Sequence, residues 1–285
     1  MRKLLVLFCL LAVCGQGWGA PKKSAKPVSK EKTATLEAGG WTLPALYLAP
    51  EKDDKGELKP VVLLVHDMGK SKESFSALKE DLTDAGFGYF AFDLRGYGQS
   101  KNKQDDALTA RKFAKEGEDN EFNQMTQEVK EGFSFLKNRK IPTEKIFILG
   151  AGLGANLTAK AAPDLGTLGG IALISPAANI RDVLAIPPLR KYDGDILIAA
   201  AAADKKAFLE ASVIRNVAFL SSGEGKVTFL TAYDLMSHEM LDKYLRPLII
   251  QWLKNPHKPE VAPDANLVDP FAPTDLSGIE LDPAF

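Results

Sequence analysis

The sequence is short of cysteine, of histidine, of charge of one sign and of long apolar runs, and each shortage removes a class of protein. Its two cysteines, Cys9 and Cys14, both fall within the first twenty residues, so no disulfide framework braces the chain beyond them. Lys plus Arg number 36 against 37 for Asp plus Glu. That balance speaks against nucleic acid or any other polyanionic partner. No segment approaches the roughly 20 apolar residues that cross a bilayer, so the chain is not expected to span a membrane. Three histidines, His66, His238 and His257, leave few candidates for a proton-transferring imidazole.

What is present begins with an export signal. Met1, Arg2 and Lys3 precede an apolar stretch from Leu4 to Val13, and small residues follow around Gly15, Gly17, Gly19 and Ala20. A charged start, a short apolar middle and a small-residue end make a secretory leader over residues 1–20. Its removal takes the formal charge from -1 to about -3. Leu11-Ala12-Val13-Cys14 resembles a bacterial lipobox, although Val13 is larger than the residue expected before the cysteine. Two fates follow: lipid anchoring at Cys14, or ordinary cleavage near Gly19 or Ala20. The periplasm or cell envelope is the expected location.

Residues 21–32 read as a solvated spacer, and residues 255–285 as a Pro-rich tail, extended or flexible, in which Phe271 and Phe285 are candidate docking residues. Between them, apolar runs of strand length alternate with segments of helical period. The runs are Trp41–Leu48, Val61–Val65, Tyr89–Phe92, Lys145–Leu149, Ile171–Ile174, Ile196–Ala201 and Val227–Thr231. Val61-Val62-Leu63-Leu64-Val65 has no polar alternation, which marks a strand covered on both faces. Helices are expected over Ser74–Ala85, Glu121–Lys140, Leu153–Ala162 and Glu239–Lys254, the last kinked or divided at Pro247. Strands alternating with helices predict an α/β domain over residues 33–254, a doubly wound and mostly parallel sheet of about eight strands. Its site belongs at the carboxyl ends of the strands.

Three loops carry the chemistry. His66-Asp67-Met68-Gly69 follows one buried strand, and Asp93-Leu94-Arg95-Gly96-Tyr97-Gly98-Gln99-Ser100 follows the next. Gly150-Ala151-Gly152-Leu153-Gly154 joins a third strand to a helix. Taken alone, this last pattern partly fits a dinucleotide-binding turn, but such a turn normally opens the first βαβ unit rather than standing mid-chain.

Together the loops resemble the α/β-hydrolase family, whose His-Gly-x-Gly, Asp-x-Arg-Gly-x-Gly-x-Ser and Gly-x-Ser-x-Gly motifs stand in this order. The resemblance covers about residues 35–254 and is nearest to small uncapped esterases, monoglyceride lipases and dienelactone hydrolases. It implies backbone oxyanion donors at Met68 and Leu153, an acid at Asp204 and a base at His238. In the second loop, Asp93 and Arg95 are expected to pair as scaffolding. The departure is at Gly152, which stands where the family has its nucleophilic serine. Acyl transfer needs an attacking oxygen or sulfur, and glycine has neither.

Three functions remain open: a hydrolase homologue without ordinary turnover that keeps its pocket for a small acyl or ester ligand, a hydrolase of unusual mechanism, and a structural or interaction protein of the envelope. For the second, His238-activated water or a hydroxyl from Ser175, Ser221 or Ser222 would have to serve. About 20 residues between Ser175 and Ile196 leave no room for a cap domain. Residues 101–120 read as a solvated loop beside an open pocket. No motif calls for a cofactor or a metal. Gly152→Ser, assayed with a fluorophosphonate probe, tests whether the remaining parts stand in working geometry: gained labelling would show that they do, and no gain would mean that the pocket has drifted or that Asp204 or His238 is misassigned.

Overall fold

The computed structural model describes residues 31–233, 235–256 and 267–268, with the side chains of Ser237, His238, Leu267 and Val268 outside that description. The expected leader, with Cys14 in it, lies outside the described residues, as do His257, Phe271 and Phe285. Two strands, β1 (Lys32–Ala38) and β2 (Trp41–Leu48), open the domain as an antiparallel pair. Next come β3 (Val61–Val65), α1 (Ser76–Asp84), β4 (Gly88–Phe92) and the two-residue β5 (Lys101–Asn102). α2 (Glu121–Lys137), β6 (Ile146–Ala151), α3 (Leu153–Ala161) and β7 (Gly170–Ile174) follow. A small hairpin of β8 (Asn179–Ile180) and β9 (Val183–Leu184) leads to α4 (Ile186–Leu189), β10 (Ile196–Ala201), α5 (Lys205–Ser222) and β11 (Val227–Ala232). The end is α6 (Ser237–Met240), a π-helical turn (Leu241–Leu245), α7 (Arg246–Lys254) and β12 (Leu267–Val268).

Among the described residues the main sheet has ten strands, ordered β1-β2-β4-β3-β6-β7-β10-β11-β12, with β5 beside β2. From β4 to β11 every pairing is parallel. Side chains alternate between two cores. Val61, Leu63 and Val65 join one with α2, α3 and α5, whereas Val62 and Leu64 join the other with α1 and α7. Burial on both faces is what makes these strands read as unbroken apolar runs. Between β7 and β10 the chain makes only the β8–β9 hairpin and one turn of helix, so nothing there forms a cap.

Several expectations shift. The spacer ends sooner than residue 32, because Glu31 already accepts the Tyr89 hydroxyl at 2.6 Å. Within the tail, residues 267–268 pair antiparallel with β11. The last helix is divided, and the π-helical turn comes just before Pro247, which enters the first turn of α7 where its missing N–H costs nothing. Helix α5 is absent from the sequence reading. Its apolar residues run all round the helix, leaving Leu209 65%, Val213 51% and Leu220 90% exposed, so no stripe marks it.

The order of crossovers matters for function. From β3 the chain moves to β4 on one side and then returns to β6 on the other, so the loops after β3 and β6 diverge at a switch point in the sheet. Close approach there depends on two glycines. A Cβ on Gly154 would collide with the Val65 carbonyl, and one on Gly150 with the Gly154 carbonyl. The Val65 carbonyl is held in β3 by its parallel pairing with Gly150 of β6, so the strand that α3 approaches has little room to retreat. Gly154→Ala should therefore cost about 1–3 kcal/mol, read as a lowered denaturant midpoint with unchanged slope.

Candidate active site

The loop after β3 is fixed by His66. Its ring is fully buried and lies edge-on to Tyr97, with centroids 5.7 Å apart. Nε2 accepts from the Leu94 N–H at 3.0 Å, and Nδ1 stands 2.7 Å from the Asp67 carbonyl. One nitrogen accepting and the other facing a carbonyl require the neutral Nδ1–H form. His66 is therefore a strap between two loops. Burial holds its pKa below the ordinary imidazole value, against the pull of the Asp67 carbonyl and the Asp93 and Asp67 charges.

The second loop corrects the expected Asp93–Arg95 pair. Asp93 is fully buried and pairs with Lys72, whose Nζ lies 2.9 Å away; the N–H groups of Lys72 and Gln99 complete its acceptors, each at 2.9 Å. Arg95 instead pairs through Nε with Glu128 of α2 and donates to Gln124 at 2.8 Å. Burial pushes the Glu128 carboxyl up to about 7, opposed by the Arg95 charge. Residues 101–120 are mostly exposed, in keeping with the solvated loop expected there. Phe113 is buried between Trp41 and Phe122 and anchors that loop.

Gly152 stands at the bend between β6 and α3 with φ 52 and ψ -117, a region that side-chain-bearing residues occupy only under strain. Its N–H donates to the Ile174 carbonyl at 2.9 Å. Above it lies the Asp67 carboxylate. Asp67 Oδ1 accepts from the Met68 N–H at 2.7 Å and from the Leu153 N–H at 2.8 Å. The two backbone donors that the resemblance pairs thus converge on a single oxygen, and this chain supplies that oxygen itself. A Cβ on Gly152 would fall on the same carboxylate, closer than any real Cβ contact.

A cavity of about 310 Å³ opens over this point, lined by Asp67, Lys70, Gly152, Ser175, Asp204 and Asp242 among others. Asp204 caps α5, accepting from the Ala207 N–H at 3.2 Å, and so reaches the cavity from the end of β10. Ser175 lies at the end of β7 with φ 52 and a buried hydroxyl that has no partner among the described residues. Asn156 pins the chain after it, bonding the Ala177 N–H and carbonyl and the Val183 carbonyl. The other two candidate serines are elsewhere: Ser221 bonds carbonyls within α5, and Ser222 bonds the Tyr192 carbonyl. The backbone of residue 238 belongs to α6, whose succeeding turn gives Leu241 and Asp242 to the cavity wall; the His238 side chain lies outside the described residues.

The family model for serine aminopeptidase S33 matches residues 56–241. The chain belongs to this α/β-hydrolase family. The matched span takes in all three loops and reaches the π-helical turn beside the cavity. The S33 chain also resembles solved structures of the same fold. With an esterase from Pyrococcus furiosus it shares 14% identity over 79% of this chain and 92% of that one, at a TM-score of 0.61. With a dienelactone hydrolase from Anabaena variabilis it shares 13% identity over 79% and 97%, at 0.60. An esterase from Exiguobacterium antarcticum gives 14% over 78% and 100%, also at 0.60. No curated protein sequence matches it. Among the described residues, no three His, Cys, Asp or Glu side chains gather as metal ligands, and no helix is long and apolar enough to cross a membrane.

The signal for Asp67 was in the sequence. The family motif has glycine at that position, so an added side chain there and a missing one at residue 152 are a matched pair of departures. Glu128 and Lys72 carried no comparable mark.

Because His66 is held neutral, the unfolded chain binds its proton at a higher pH than the folded chain does. The resulting stability is full above about pH 6.5 and declines as pH falls below it, by at most about 1.4 kcal/mol per pH unit for one proton. His66→Gln keeps an acceptor for the Leu94 N–H and removes the titration. Urea unfolding between pH 8 and 5 should show a flatter decline for the variant, the difference between the curves isolating the imidazole.

Proposed function

We propose that this chain is an exported α/β-hydrolase homologue that has given up serine-type acyl transfer and keeps its cavity for binding a small ligand. One observation carries the reading. The Asp67 carboxylate fills the place where a substrate oxyanion would be held and overlies a residue with no side chain. Two requirements of acyl transfer fail together, the attacking hydroxyl and the free donors. Removing a nucleophile alone lowers turnover by about 10⁶ in the subtilisin case. On this reading Asp204 and His238 are retained positions of an acid and a base, and export follows from the leader at residues 1–20, with lipidation of Cys14 as one route to the envelope.

Of the alternative hydroxyls only Ser175 lines the cavity. Its oxygen is buried, which keeps it from a substrate, so it is a wall residue here.

In Gly152→Ser the new side chain meets the Asp67 carboxylate. Gly152→Ser alone should gain no fluorophosphonate labelling, and Asp67→Gly alone should gain none. The double variant should label and hydrolyse short acyl esters, recovering a measurable part of the roughly 10⁶-fold loss. Ester hydrolysis by the unaltered protein at the rates of ordinary esterases would overturn the proposal.

A further inference from the structure

We infer that the groove beside the cavity, walled by Lys70, Arg111, Lys115 and Arg181, binds the phosphate group of an organic phosphate ester. This goes beyond the cavity reading and does not depend on it. The groove has a volume of about 630 Å³ and adjoins the cavity at Lys70, which lines both. Across the whole chain the two signs of charge nearly balance, yet no Asp or Glu of the described residues lines this groove. Its four cations are exposed, and none of their charged ends has an ion-pair or hydrogen-bond partner among the described residues. Like charges gathered without a counter-charge repel one another, and a bound anion removes that cost.

The cations come from three separate segments: the loop after β3, the loop of residues 101–120 and the tip of the β8–β9 hairpin. The fold gathers them, not a basic run of sequence. At the hairpin tip, Arg181 and Asp182 take φ 53 and 62, the left-handed pair of a tight two-residue turn. This turn sorts its own charges. Asp182 gives its carboxylate to the Gly117 N–H at 2.7 Å and the Asn179 amide at 3.2 Å, while Arg181 lines the groove. The buried Asn120 amide donates to the Arg181 carbonyl at 2.9 Å and ties the tip to the start of α2. On the opposite wall the Ala110 N–H donates to the Gly96 carbonyl at 3.1 Å, and a Cβ on Gly96 would collide with Ala110. These ties set the walls before a ligand arrives, which lowers the cost of ordering them on binding. Two guanidinium forks and two ammonium groups suit a phosphate, with three free oxygens and a charge near about -2, better than a single carboxylate. An organic part also has its place, because Tyr97 and Phe122 line the groove and its volume exceeds what phosphate alone fills. Burial, and then the Asp67 charge, push the Tyr97 hydroxyl up to about 12 against the pull of Arg181, so it remains a proton donor at neutral pH.

Calorimetry on the purified protein at about pH 8, with phenyl phosphate as the probe, should show one saturable site. Binding should be tighter than that of inorganic phosphate and should weaken as sodium chloride rises from about 50 to about 300 mM. Arg111→Gln and Arg181→Gln should each weaken it about tenfold, the loss of one charge-assisted contact. Lys145→Gln, which removes a cation next to the amino end of β6, should leave it unchanged. Cosedimentation with phosphatidylglycerol vesicles but not with phosphatidylcholine vesicles, lost in the Arg111→Gln/Arg181→Gln double variant, would place the phosphate on a lipid headgroup. Phenyl phosphate binding without cosedimentation would place it on a soluble ester. Binding of neither phenyl phosphate nor phosphatidylglycerol, equal affinity for inorganic phosphate and phenyl phosphate, or equal weakening by Lys145→Gln would each overturn the inference. Arg111 and Arg181 do not line the cavity, so none of these results bears on what the cavity holds.

Discussion

The hydrogen bonds from Met68 and Leu153 to one oxygen of Asp67 join the loop after β3 to the first turn of α3, across 86 positions of sequence. A helix start carries N–H groups with no partner in the helix and a partial positive charge, and a carboxylate answers both. Here the answer comes from a neighbouring loop rather than from a capping residue at position 152, which has no side chain to offer. The bend can hold φ 52 because it is glycine, and the carboxylate can lie on it for the same reason. Remove the close approach at Gly150 and Gly154 and neither loop would reach the other.

Around this bond stands a set of buried polar groups that fix the loops. Asp93 holds Lys72 and two backbone N–H groups, Arg95 holds Glu128, and His66 spans from its own loop to Leu94. Buried ion pairs of this kind add little net stability, since desolvation offsets much of their attraction, but losing one partner strands a charge and costs several kcal/mol. Their effect is to specify conformation. Each loop at the cavity mouth has one arrangement that satisfies its polar atoms, and that arrangement keeps Asp67 over the bend.

Much of the architecture was legible because the central strands are buried on both faces and so read as apolar runs. Helix ends at Glu121 and Leu153 were equally plain, one beginning after an Asn cap and the other after a glycine bend. Helix α5 was not, because Leu209, Val213 and Leu220 lie on its solvent side and erase the periodic contrast. Within the second loop, motif proximity favoured pairing Asp93 with Arg95, whereas the fold offered each a better partner from another element. Charge pairing is decided by which helices and loops meet, and that information is not local. Asp67 was visible as a residue but not as an occupant, since only the three-dimensional crossing of two loops brings it onto Gly152. His238 had a plausible place in chain order, and its backbone rides in α6 next to the cavity wall.

The interlock between residues 67 and 152 has a consequence for descent. A lineage carrying this pair gains nothing from restoring serine first, because the carboxylate bars it, and nothing from clearing the carboxylate first, because no hydroxyl waits beneath. On the reading proposed above, selection for serine chemistry has no single-step path back, so its loss behaves as a ratchet and leaves the cavity free to diverge.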